Sequence, residues 1–93
     1  MSEYGYGGSF TGGNQVSDIG WAVAQLQAGS KVARAGWNGK GMWLWLDVPS
    51  ADSAGPDGLP WQPTVMMKTA QDTHVAWLCS QSDLLATDWE IVR

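Results

Sequence analysis

Hydrophobic and polar positions change their period several times along this chain, and each change predicts an element. Ile19, Ala22, Val23 and Leu26 occupy the i, i+3, i+4 and i+7 positions of one helical face, with Gln25 and Gln27 on the wet side. Ser17 or Asp18 offers a short side-chain oxygen to cap the first turn, and Gly29 suits the left-handed residue that ends a helix. Beyond Gly29 the period shortens. Lys31-Val32-Ala33-Arg34-Ala35 alternates weakly, as a strand does. Met42-Trp43-Leu44-Trp45-Leu46-Asp47-Val48 reads as a stronger strand, apolar on both faces as far as Asp47. Such a strand is either sandwiched in a core or covered by another subunit.

The stretch from Pro49 to Pro63 is rich in Pro, Gly, Asp and Ser and carries Trp61 near its end. Unstructured loops of that length are uncommon in compact domains and often serve as functional lids. Thr64–Thr69 and His74–Leu78 then read as a hairpin joined by Ala70-Gln71-Asp72-Thr73. Ser80-Gln81-Ser82-Asp83 resembles a capping box with Asp in place of Glu, opening a short helix over Leu84-Leu85-Ala86. Asp88-Trp89-Glu90-Ile91-Val92 alternates as a last strand. Together these elements predict an α+β fold: one main helix packed on a small, mostly antiparallel sheet, with a short second helix near the C-terminus. Residues 1–15, with their Gly, Ser, Tyr and Asn, read as a flexible Gly/Tyr-rich arm, and residues 16–93 as a single domain.

Composition narrows the function classes. A chain of 93 residues makes one domain. With 44% hydrophobic and only 15% charged residues, the body of the chain is not disordered and has few charges to solvate its surface, which favours self-association. Five Lys and Arg within a net charge of −4 cannot build the footprint that a nucleic acid polymer requires. Cys79 is the only cysteine, so an intrachain disulfide is excluded; its setting fits a reducing cytosol, and its neighbours predict a small buried residue. The longest apolar run, Met42–Val48, is too short to span a bilayer, so no membrane partner is expected.

One segment concentrates candidate chemistry. Arg34-Ala35-Gly36-Trp37-Asn38-Gly39-Lys40-Gly41-Met42 combines an indole, an amide, glycines that leave backbone N–H groups open, and two cations. Lys31 lies close by, so a small anion can be met there although the whole chain is acidic. Catalytic chemistry finds less support. His74 and Cys79 are five residues apart, which puts them on opposite sides of a strand. A lone Cys, a lone His and scattered carboxylates do not form a metal set. The Gly36–Gly41 run lacks the spacing and the hydroxyl of a Walker phosphate loop. No catalytic residue, metal or cofactor is therefore expected, and the chain reads as a binding module for a small, planar, anionic ligand rather than as an enzyme.

The residues also resemble a known family. Gly20-Trp21-Ala22, Val32-Ala33 followed by the Arg34–Met42 segment, Met67-Lys68-Thr69-Ala70, the run from Val75 to Ala86, and Asp88–Val92 are similar, in order and spacing, to the second Thoeris anti-defence family of small phage and prophage domains. The resemblance spans about Ile19 to Val92. It implies a sponge in the cytoplasm of the infected host, one that binds a cyclic ADP-ribose isomer without degrading it. It also implies a homotetramer built as a dimer of dimers, with pockets at subunit boundaries; some members also hold cyclic oligonucleotides. On that basis Trp37 is expected to stack on a base, with Trp77 or Trp43 as a second wall, and Asn38 to read a polar edge. Arg34, Lys40 and the Gly39 and Gly41 amides would face the pyrophosphate, while Thr69 and Ser80 would offer hydroxyls to ribose. Trp21, Trp45 and Trp89 are expected in the core or an interface. The alternative function left open is a phage structural or protein-interaction module that docks through a Trp-rich face.

Overall fold

The computed structural model describes residues 17–93; the predicted arm, residues 1–15, lies outside them. Helix α1 covers Ile19–Gln27. Asp18 caps it, accepting from the Trp21 amide at 2.9 Å. Its end is a Schellman motif: the Ser30 amide donates to the Gln25 carbonyl and the Gly29 amide to the Leu26 carbonyl, at 2.9 and 3.0 Å, while Gly29 takes a φ of 95°. Ala22 and Leu26 are buried and Ile19 packs beside them, whereas Val23 is 40% exposed. The helical face is thus narrower than the four-residue pattern predicts.

Five strands follow: β1 (Lys31–Arg34), β2 (Trp43–Asp47), β3 (Thr64–Lys68), β4 (His74–Ala76) and, after the short helix α2 (Gln81–Leu84), β5 (Trp89–Val92). They form one sheet in the order β4-β3-β2-β1-β5, antiparallel throughout. The predicted α+β class holds. Register assigns the faces, because side chains alternate along a strand. Val32 lies opposite Leu44 and Ile91, and Leu44 opposite Met67. Those residues face α1, where Ala22, Leu26, Val32, Leu44 and Trp89 form the buried core. Trp43, Trp45, Met66, Ala76 and Glu90 take the other face. Among the described residues no helix packs on that second face, so Trp43 and Trp45 remain half-buried.

Two details depart from the sequence reading. The 49–63 stretch is not structureless: Ala54 bridges Pro60, the Gly55 amide donates to the Leu59 carbonyl at 2.8 Å, and Asp57 Oδ1 accepts from the Leu59 amide. Cys79 is exposed rather than buried, since it sits in the open connection between β4 and α2.

Candidate functional site

The segment between β1 and β2 is a short 3-10 turn, Ala35–Trp37, followed by a left-handed stretch. Asn38, Gly39 and Gly41 have φ values of 57°, 67° and 78°. Glycine carries no strain in that region, and Asn is among the residues that tolerate it. The carbonyl that Gly41 presents accepts from Lys68 Nζ at 2.7 Å, which ties the turn to β3. The other end is fixed by a carboxylate. Asp88 accepts from Arg34 Nε at 2.8 Å and from the Gly36 amide at 2.7 Å. Arg34 Nη1 reaches Asp83 at 2.8 Å. A Cβ at position 36 would stand 3.0 Å from Asp88 Oδ2 and 3.3 Å from Arg34 Nη2, so a larger residue there presses on this ion pair.

These bonds shape the ionisation of the cluster. Hydrogen bonds from the Arg34 guanidinium hold the Asp88 carboxyl below the usual carboxylate range, opposed by some burial and helped by the Gly36 amide. The bonds that the guanidinium donates to Asp88 and Asp83 raise its own pKa. The capping box at Ser80 is half realised: Ser80 Oγ accepts from the Asp83 amide at 3.1 Å, but the Asp83 side chain turns to Arg34 instead of back to Ser80.

Two cavities open on the sheet face away from α1, at opposite ends of β2. One, of about 230 Å³, is bounded by the 37–43 turn, with Ala33, Glu90 and Val92 beside it. Here the structure brings together Arg34, Trp37, Gly39, Lys40 and Trp43 of the sequence-predicted residues. Trp37 also packs edge-on against Trp89, with centroids 5.5 Å apart, and Lys31 Nζ lies 4.5 Å from the Trp43 ring centroid. Arg34 borders the cavity, but its charge is already met by two carboxylates. Lys40 has no acidic partner within salt-bridge distance among the described residues.

The remaining predicted residues fall elsewhere. Asn38 is exposed at the tip of the turn. Trp77 packs edge-on against Trp89 at 5.9 Å. The Thr69 hydroxyl is engaged with the Thr73 hydroxyl at 2.7 Å, and Ser80 serves as the cap of α2. His74 packs edge-on against Trp45 at 4.8 Å, and Cys79 Sγ donates to the Ser80 carbonyl at 3.6 Å. Desolvation of the thiol by its immediate neighbours, together with the Asp83 charge, raises the Cys79 pKa above its ordinary value, which keeps the exposed residue in the less reactive protonated form.

The second cavity is larger, about 750 Å³, and sequence reasoning assigned no residue to it. Asp47, Thr64, Met66 and Ala76 form its floor, and Pro49, Ser50, Ser53, Trp61 and Gln62 of the long loop form its wall. The available signal was the loop itself, with a tryptophan near its end and a strand apolar on both faces before it.

The fold and these cavities define a small α+β domain with recesses along a sheet face that none of the described helices covers, an arrangement suited to holding ligands. The chain belongs to the Thoeris anti-defense 2-like domain family, whose pattern it matches over residues 17–92. It is also 40% identical over 84 residues to Thoeris anti-defense 2 of Bacillus phage SP01, an alignment that covers 80% of this chain and 92% of that protein. Among the described residues no group of three or more His, Cys, Asp or Glu is placed to hold a metal, and no helix is long and apolar enough to cross a membrane.

Proposed function

We propose that this protein counters host defence by binding a cyclic nucleotide immune signal, a cyclic ADP-ribose isomer, and withholding it without degrading it. Membership of the anti-defence family supports the biological setting. The observation that carries the chemistry is the 37–43 cavity, where two indoles, a lysine with no acidic partner among the described residues and a left-handed glycine turn meet. Trp37 and Trp43 offer faces and edges to a base. Lys40 Nζ and the Gly39 and Gly41 amides face a pyrophosphate, and among the described residues neither glycine amide donates to a backbone carbonyl. Arg34 serves by anchoring the turn, since its charge is already paired. Sequestration requires tight ground-state binding and no complementarity to a transition state.

A cavity of about 230 Å³ is below the roughly 300–1,000 Å³ usual for small-molecule sites. We infer that a second copy laid over the open Trp43–Trp45 face deepens it, within the homotetramer that this reading includes. Calorimetric titration with cyclic ADP-ribose isomers tests the proposal: saturable binding is expected, with the ligand recovered unchanged by mass. Trp43→Ala and Lys40→Ala should each weaken it, and absence of heat with every isomer would refute it. The same open indole face also suits docking to another protein. Capture of a phage or host protein by a chain that binds no cyclic nucleotide would favour that second reading.

A further inference from the structure

The cavity formed by the long loop differs in charge from the one at the 37–43 turn, which is lined by Lys40, by Arg34 with its two carboxylates, and by Glu90. Among the described residues its only charged lining residue is Asp47, and no Lys or Arg contributes to it. Asp47 stands opposite Thr64 at the end of the β2–β3 ladder, on the same face as Met66. Trp61 lines the cavity and is 59% exposed, although it is a large apolar residue. Its placement is set by the fold: the indole lies against Gly55, where a Cβ would stand 3.6 Å from Cζ2, and the 55–59 turn holds Gly55 in position. Thr64 Oγ1 donates to the Gln62 carbonyl at 2.9 Å, which fixes the backbone next to the indole. Neither the Asp47 carboxylate nor the Gln62 amide group has a side-chain partner among the described residues.

We propose that this cavity binds an uncharged nucleoside and discriminates against its phosphorylated forms. The volume of about 750 Å³ lies within the range of small-molecule sites. An exposed indole beside a polar recess supplies a stacking surface for a planar base. A carboxylate accepts from ribose hydroxyls, which is how acidic residues read ribose in dinucleotide sites. Gln62 supplies both a donor and an acceptor for a base edge. A phosphate finds no cation among the described residues here and is repelled by Asp47. The two cavities would then divide by charge, anionic ligands at the turn and neutral ones at the loop, on opposite ends of β2. The assignment stands independently of the cyclic-nucleotide reading, because it uses none of the same residues.

The test is calorimetric titration of the full chain with adenosine, AMP and glucose, each alone. Adenosine should bind saturably and at least about ten-fold tighter than AMP, the discrimination that roughly 1.4 kcal/mol of repulsion gives. Trp61→Ala should weaken adenosine by about ten-fold or more, the usual loss of one base–aromatic stack, and Trp61→Phe should keep most of the affinity. Asp47→Asn should narrow the gap between adenosine and AMP. Both Trp61 and Asp47 are exposed, so the variants should retain the far-ultraviolet spectrum of the parent. The proposal is overturned if adenosine does not bind, if AMP binds as tightly, if glucose binds tighter than adenosine, or if Trp61→Ala has no effect.

Discussion

Asp88 grips Arg34 and, through its second oxygen, the backbone two residues further on: Oδ1 accepts from Arg34 Nε at 2.8 Å and Oδ2 from the Gly36 amide at 2.7 Å. One carboxylate on the approach to β5 therefore fixes both the end of β1 and the start of the turn that carries Trp37 and Lys40. Removing it should be felt at the site as well as in stability. Asp88→Ala is expected to cost about 1–2 kcal/mol, less than a buried charged hydrogen bond because both partners remain partly solvated and Arg34 keeps Asp83. Urea unfolding measures this. Equal midpoints for variant and parent would mean that the clamp is not a source of stability.

The same bond sets an acid limit. The Arg34 guanidinium depresses the Asp88 pKa in the folded state below its unfolded value of roughly 3.9. Its contribution is therefore fully present above about pH 4 and is lost as pH falls through the folded pKa. Arg34 stays charged throughout, so the loss comes from the carboxylate alone. Unfolding free energy measured from neutral pH down to strongly acid conditions should fall more steeply below about pH 4 for the parent than for Asp88→Asn. Parallel curves would remove Asp88 from the account of acid sensitivity.

Gly36 and Gly41 meet different obstacles, and alanine should expose the difference. At Gly41 the obstacle is a φ of 78°, reinforced by Lys68 Nζ 3.3 Å from where a Cβ would stand. Gly41→Ala should destabilise by about 1–2 kcal/mol through backbone strain. At Gly36 the φ is ordinary and the obstacle is Asp88 itself, 3.0 Å away, so the substitution should push the carboxylate off Arg34. Combining Gly36→Ala with Asp88→Ala should then cost less than the sum of the singles, whereas Gly41→Ala should add to Asp88→Ala. A double-mutant cycle by urea unfolding checks both statements.

Trp89 anchors three things at once. It is 2% exposed, Trp37 and Trp77 meet it edge-on, and its Nε1 donates to the Asp83 carbonyl at 3.3 Å. Trp89→Ala should cost about 3–5 kcal/mol, the range for large aromatics removed from a core. Trp77→Ala should cost less, because Trp77 keeps more of its surface in water. A thermal or urea transition at the parent's midpoint for Trp89→Ala would contradict this placement.

The elements were legible because their local signals agree. Asp18, the Ala22–Leu26 spacing and Gly29 all specify one helix, and the alternation around Leu44, Val65 and Val75 specifies strands that find partners in simple antiparallel order. The clustering of Trp37, Gly39, Lys40 and Trp43 was also legible, since a turn keeps near neighbours together. What could not be read is long-range. Arg34 is separated by 49 and 54 residues from the carboxylates that neutralise it, and nothing local distinguishes a cation that meets a ligand from one committed to Asp83 and Asp88. Thr69 and Ser80 carry hydroxyls that suit ribose, but the turn and the helix cap have prior use for them. The loop cavity escaped notice for a similar reason: its wall and floor come together only when Thr64 pairs with Asp47.

The open sheet face leads to the last prediction. Trp43 and Trp45 lie side by side with centroids 5.5 Å apart, and His74 closes edge-on over Trp45. Half-buried indoles in a row on an unpartnered face are apolar surface that a charge-poor domain gains by covering. If a second copy covers it, Trp45→Glu should place a carboxylate in the interface and lower the assembly's mass in light scattering. The fold should survive, because Trp45 points away from the α1 core. Trp21→Glu, on the helix packed against that core, is the control expected to unfold instead. An unchanged mass for a folded Trp45→Glu protein would show that copies of this chain meet elsewhere. It would also leave the 37–43 cavity to be completed by its ligand alone.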